Sequence, residues 1–251
     1  MSDTPAILAR DDGGAIAYHR TSGKPPGVVF LTGFKSDMTG SKALALEEYC
    51  QYRGQAFVRF DYTGHGRSSG DFEDGTIGDW ADDAVLALDR LSEGPQVLVG
   101  SSMGGWIMLL AALARPDRVA GLVGTAAAAD FTEDLMRGKL SSEQLKQLEA
   151  QGFAEIPNCY DEEPYKITKA LLDDGRNHLL LKTEIPIDCP VRLIHGDKDQ
   201  DVPWQTSFRI AENLRSRDVE TLFVKGGDHR LSEPRDLDRL CRTVGHLLDQ
   251  L

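Results

Sequence analysis

Gln96-Val97-Leu98-Val99-Gly100-Ser101-Ser102-Met103-Gly104-Gly105-Trp106-Ile107-Met108-Leu109-Leu110 joins a short apolar, β-branched run to an Ala- and Leu-rich helical run through one sharp turn. The run Val97–Val99 ends at Gly100, and the apolar stretch resumes at Met103. Strand, Gly-x-Ser-x-Gly and helix in that order form the pattern in which a serine hydroxyl stands exposed on a strained turn. Glycines two residues before and two after the serine leave room where strand and helix backbones meet. Ser102 is therefore the candidate nucleophile. The same spacing recurs at Gly66-Arg67-Ser68-Ser69-Gly70, well past the apolar run that ends near Phe60 and followed by Asp71, Glu73 and Asp74. Ser68 lacks the strand-to-helix context and reads as a loop residue bonding to backbone.

Outward from this stretch, strand-like and helix-like segments alternate. Ala15–Arg20 alternates as an edge strand does, and Gly23 to Gly27 reads as a turn. Gly27–Leu31 is continuously apolar, as a strand buried on both faces of a parallel sheet should be. A helical pattern over roughly 41–53 follows, then the run Ala56–Phe60 and the glycine-rich loop Asp61–Ser68. Thr76–Leu91 carries Ile77, Trp80, Ala84, Leu88 and Leu91 at helical spacing. Beyond the central motif come strand Val119–Gly124, strand Val191–Ile194, helix Trp204–Leu214, strand Thr221–Val224 and helix Arg235–Leu251. Alternation with short links predicts an α/β fold with a mostly parallel, doubly wound sheet. Residues 1–251 read as one domain. Between about Asp130 and Asp188 the alternation stops: helical patterns at Ser141–Ala150 and Tyr165–Asp174, with no convincing strand, predict a small helical cap inserted above the sheet.

Composition narrows the class. The net charge of −12 argues against nucleic acid or an anionic membrane surface as the main partner. No apolar run reaches membrane-spanning length. Met1–Asp12 has neither a signal-peptide nor a transit-peptide pattern. Cys50, Cys159, Cys189 and Cys241 are scattered without a C-x-x-C, which predicts reduced thiols and a cytoplasmic protein of unassigned oligomeric state.

A serine nucleophile needs a base, an acid to orient the base, and oxyanion donors. In this motif class the chain order is serine, acid, histidine. Of the six histidines, His229 in Gly226-Gly227-Asp228-His229 follows the last strand and satisfies that order. His195 also stands at a strand end but precedes the candidate acids. Three aspartates compete in His195-Gly196-Asp197-Lys198-Asp199-Gln200-Asp201-Val202-Pro203. Asp199 occupies the acid position of Gly-x-x-Asp-x-x-Val-Pro, whereas Asp197 and Asp201 read as turn or helix-end residues. Counted from Asp197 as a calcium loop, the sixth and twelfth positions hold Val202 and Phe208 instead of glycine and glutamate, so the metal reading fails. The oxyanion donors expected are the Met103 amide, at a helix N-terminus, and the Phe34 amide in Thr32-Gly33-Phe34. No metal, nucleotide or redox cofactor is implied.

With these motifs in place the chain resembles the α/β-hydrolase superfamily along nearly its whole length. The stretches 41–50, Arg59–Tyr62, Gly100–Trp106, Val202–Trp204 and Asp228–Arg230 resemble more closely the mitochondrial palmitoyl-protein thioesterase and mycophenolic acid acyl-glucuronide esterase subfamily. That resemblance implies hydrolysis of S-acyl thioesters and acyl-glucuronide esters, with Ser102, Asp199 and His229 at the matching triad positions. The substrate expected is a small-molecule or protein-linked acyl ester or thioester. A general carboxylesterase or lipase is the nearer alternative, and a non-catalytic binding protein of this fold the more distant one. A dehalogenase would need a carboxylate where Ser102 stands.

Overall fold

The computed structural model describes residues 4–156 and 165–251. Its centre is an eight-stranded sheet in the order β1-β2-β4-β3-β5-β6-β9-β10. The strands are β1 (Ala6–Ala9), β2 (Ala15–Thr21), β3 (Lys24–Leu31), β4 (Gln55–Phe60), β5 (Gln96–Ser101), β6 (Val119–Thr125), β9 (Val191–Gly196) and β10 (Val219–Val224). From β4 to β10 every neighbouring pair is parallel; β1–β2 and β2–β4 are antiparallel. The expected α/β sheet is thus present, with two differences at its start. Ala6–Ala9 pairs outside β2 and takes over the edge, and β3 begins at Lys24, inside the stretch read as a turn. A register irregularity between Lys24 and Val28 accommodates Pro25 and Pro26, which cannot donate to the ladder.

Alternation along the central strands sends Val29, Leu31, Val58, Phe60, Leu98 and Leu122 to one face and Val28, Phe30, Phe57, Val97, Val99 and Val123 to the other. Helices α2 (Ile77–Leu91), α3 (Met103–Ala114) and α6 (Gln205–Asn213) bury residues in the first layer. Helices α1 (Ser41–Arg53) and α7 (Pro234–Gln250) bury theirs in the second. Two covered faces explain why these strands read as unbroken apolar runs. Thr76 starts α2 with a reciprocal capping box to Asp79.

Between β6 and β9 the chain leaves the sheet. Residues 142–151 form α4 (Ser142–Gln151), close to the helix expected there. The second expected helix is corrected: Tyr165–Thr168 is strand β8, paired antiparallel with β7 (Phe153–Ile156), and only Lys169–Gly175 is helical, as α5. Ile167, β-branched and fully buried with Leu148, Ala154 and Leu172, favours an extended backbone where the spacing predicts a helix. Part of the 130–188 reading, with Cys159, lies outside the described residues. Asp130 ties the two ends of the excursion together, its carboxylate accepting from the Leu180 and Leu181 amides at 2.8 and 2.9 Å. The described cysteines are free thiols: Cys50 and Cys241 are buried, and burial pushes Cys50 up to about 12.

Candidate active site

Ser102 sits between β5 and α3 with φ +55° and ψ −119°, a left-handed conformation costly for a residue with a Cβ. The glycines around it answer a packing demand. A Cβ at Gly100 would lie 2.2 Å from the Gly104 carbonyl oxygen, and one at Gly104 would lie 2.1 Å from that of Leu31. Backbone atoms cannot yield at such distances. The turn is held by Thr125, whose carbonyl accepts from the Ser102 amide at 2.9 Å, while the Ala128 amide donates to the Ser102 carbonyl at 3.0 Å. The strain is thus fixed by the neighbouring strand.

The three candidate triad residues, separated by up to 127 positions in sequence, meet at hydrogen-bond distance. Ser102 Oγ lies 3.0 Å from His229 Nε2, and His229 Nδ1 lies 2.8 Å from Asp199 Oδ2. Asp199 is fully buried at its side chain. Its Oδ1 accepts from the Asp201 and Val202 amides, both at 2.9 Å. Burial alone would raise its pKa, but hydrogen bonds from His195 and His229 outweigh it and hold the carboxyl well below the usual carboxylate range. A carboxylate in this state fixes His229 with its proton on Nδ1 and leaves Nε2 to accept from Ser102.

Asp197 instead accepts from the Gly226 amide at 2.6 Å and serves the turn, as expected. Ser68 is also a structural residue: its hydroxyl donates to the Asp61 carbonyl and accepts from the Ala17 amide. Asp199, Asp201 and His229 bring ligand atoms within 4.8 Å of one another, a spacing that one cation could span. The donor set argues against one, because both Asp199 oxygens already face two N–H donors each.

His195 is the residue that sequence reasoning passed over. It is fully buried, and its Nε2 stands 3.1 Å from Asp199 Oδ2 and 3.0 Å from the Val202 carbonyl. Both partners are acceptors, so Nε2 carries the proton, and Nδ1 accepts from the Ser207 hydroxyl at 2.7 Å. His195 thus donates to the same carboxylate oxygen as His229 and helps to hold the Asp199 side chain in place. The spacing His195-x-x-x-Asp199 was visible, but the test for a base by chain order discarded it.

The Phe34 and Met103 amides border the same cavity as Ser102 and His229, and among the described residues neither amide has a hydrogen-bond acceptor. Behind Phe34, His65 supports the loop: its Nε2 accepts from the Lys35 amide at 3.3 Å while Nδ1 donates to the Thr63 carbonyl at 3.2 Å. Tyr62, Phe72 and Trp80 ring it edge-on. Burial pushes His65 down to about 4, so it is neutral at physiological pH. In the unfolded chain the imidazole takes up its proton near 6.5, before the folded one does. The stability present above 6.5 is therefore lost as pH falls toward 4, by up to about 3 kcal/mol. Urea unfolding at pH 7 and pH 4.5 should show part of that loss in the wild type and a smaller one in His65→Gln.

The cavity above Ser102 has a volume of about 420 Å³ and is walled largely by Phe34, Phe131, Leu135, Met136, Leu140 and Tyr165. Phe34 packs edge-on against Phe131 and Tyr165, so the 130–180 excursion supplies the apolar wall. The arrangement can hold an acyl group against a hydroxyl, a base and two free amides.

Residues 28–163 match the family model described as the alpha/beta hydrolase fold. The chain belongs to the α/β-hydrolase family. Taken with the thioesterase and hydrolase relatives that follow, membership makes it a hydrolase. It is 44% identical to the Bos taurus protein named palmitoyl-protein thioesterase ABHD10, mitochondrial, over 98% of this chain and 80% of that one. The solved structure of alpha/beta hydrolase domain-containing protein 10 from mouse superposes with a TM-score of 0.92 at 42% identity, covering 98% of this chain and 99% of that chain. A putative hydrolase from Agrobacterium vitis S4 superposes equally well at 36% identity, covering 97% of each chain. The cytoplasmic expectation is overturned here: the Bos taurus, Pongo abelii, Homo sapiens, Mus musculus and Rattus norvegicus relatives are all named mitochondrial. Scattered reduced thiols fit any reducing compartment and do not separate the two. Among the described residues no helix is long and apolar enough to cross a membrane.

Proposed function

We propose that this hydrolase cleaves acyl thioesters through Ser102, Asp199 and His229, with an acyl-enzyme intermediate. The observation that carries the reading is the continuous chain Ser102 Oγ–His229–Asp199 at the base of an apolar cavity. His229 Nε2 takes the Ser102 proton as Oγ attacks the acyl carbonyl, and the oxyanion formed accepts from the Phe34 and Met103 amides. Collapse breaks the carbon–sulfur bond, and the imidazolium returns the proton to the leaving thiolate. Water then gives a proton to His229, attacks the acyl-serine, and releases the acid with the Ser102 hydroxyl restored. The excursion at about 130–188 acts as the cap that shelters the acyl chain.

The thioester preference is supported by the 44% identical relative named a palmitoyl-protein thioesterase, and the apolar wall suits a fatty acyl chain. The test is a panel of palmitoyl and short-chain thioesters beside oxygen esters of the same acids. Higher kcat/KM on the long-chain thioester is expected. A uniform preference for short oxygen esters would make the protein a general carboxylesterase and sink the thioester assignment.

A further inference from the structure

His195 and Ser207 form a polar pair inside an apolar layer. His195 follows Leu193 by two positions in β9, so its ring points to the face that α6 covers. That layer holds Leu193, Val202 and Ile210, and both members of the pair are fully buried in it. A buried imidazole and hydroxyl are costly there unless their polar atoms are paired. The pairing runs in one direction. The Ser207 hydroxyl donates to His195 Nδ1 at 2.7 Å, and Nε2 donates onward to the Val202 carbonyl at 3.0 Å and to Asp199 Oδ2 at 3.1 Å. Among the described residues, Asp199 is the one charged group bonded to His195. The outlet of the pair toward the candidate active site is therefore that carboxylate.

Oδ2 is also the atom that accepts from His229 Nδ1, at 2.8 Å. A second N–H on the same oxygen withdraws part of its charge and leaves less to hold a proton on the His229 ring. The Ser207 hydrogen bond polarises the His195 ring and strengthens that withdrawal. Desolvation works to raise the Asp199 carboxyl, and the hydrogen bonds from His195 and His229 lead the influences that lower it. Other charged groups also face His229. Asp201, from the loop after β9, brings a carboxylate oxygen within 4.8 Å of its ring. Lys139, from the excursion, lines the same cavity, and Asp228 and Arg230 flank it in the chain. All four are unchanged by substitution at His195 or Ser207, so a difference between such variants isolates the pair.

We propose that His195, backed by Ser207, is a positioning residue that sets the proton affinity of the catalytic base. By sharing Asp199 Oδ2 with His229, it keeps the His229 imidazolium from being over-stabilised and leaves Nε2 free to take the Ser102 proton. This role rests on the Ser102–His229–Asp199 reading above and does not depend on which acyl compound is cleaved.

The test is the pH dependence of kcat/KM for a neutral short-chain nitrophenyl ester, whose acid limb reports the base of the free enzyme. In His195→Leu the limb should move to higher pH by about one unit, because Oδ2 loses a donor and holds the imidazolium more tightly. Ser207→Ala should move it in the same direction by about 0.3 unit. His195→Gln keeps an N–H for Oδ2 and should bring the limb back toward wild type. A merely loosened Asp199 does the reverse: a weaker contact to His229 lowers the limb along with kcat. A limb unmoved or lowered in a folded His195→Leu, or displaced as far in His195→Gln as in His195→Leu, overturns the role. Should His195→Leu fail to fold, an unmoved or lowered limb in Ser207→Ala overturns it equally. Wild-type turnover by Ser102→Ala would instead remove the reading beneath it, whereas an inactive Ser102→Ala beside an unmoved limb removes the His195 role alone.

Discussion

Replacing Ser102 by alanine is expected to lower kcat on any acyl thioester or ester by at least about 10⁴-fold while leaving the fold intact. The reason lies in the geometry. Ser102 Oγ is the group 3.0 Å from the His229 Nε2 that would deprotonate it. Alanine has the same Cβ as serine, so it adds no strain at φ +55° beyond what Ser102 already bears. The Thr125 and Ala128 hydrogen bonds that hold the turn are made by main chain and survive the change. A fluorophosphonate probe should label the wild type and fail on Ser102→Ala. Wild-type turnover by a folded Ser102→Ala would refute the mechanism. Labelling at Ser68 is not expected, because its hydroxyl is held between the Asp61 carbonyl and the Ala17 amide.

Asp199→Asn should cost about 10⁴-fold in kcat, and Asp201→Asn should stay within a few-fold of wild type. Both Asp199 oxygens face N–H donors: Asp201 and Val202 amides at Oδ1, His195 and His229 rings at Oδ2. An asparagine NH₂ therefore points at donors whichever way the amide is turned. Unless His229 changes tautomer, the conflict leaves buried groups unpaired and costs about 2 kcal/mol of stability. Changing the tautomer removes the acceptor that Ser102 needs. Unfolding in urea beside the kinetics separates the two losses. The opposite ranking, with Asp201→Asn inactive and Asp199→Asn active, would reassign the acid.

Much of the site was legible because its signals are local. The strand-to-helix context of Gly100–Gly104 separates Ser102 from the same spacing around Ser68, since only a close strand–helix approach requires both glycines. Gly-x-x-Asp-x-x-Val-Pro and the loop after the last strand placed Asp199 and His229 by register alone. The excursion after β6 was less legible. Tyr165–Thr168 fits a helical spacing over a short window, and its extended form is decided by pairing with Phe153–Ile156, a partner that a local pattern does not contain. His195 was missed for the same reason: its importance is a 3.1 Å contact to a carboxylate.

The sequence by itself determined the order of the central strands and their flanking helices, the turn at Ser102 and the identity of its two partners, because backbone sterics and hydrophobic period act over a few residues. Only the tertiary structure decided what stands around them. The sheet brings Asp199 to four donors, His65 under the Phe34 loop, and an apolar cavity to Ser102. Those juxtapositions join residues far apart in the chain, and burial then sets the charge each group carries.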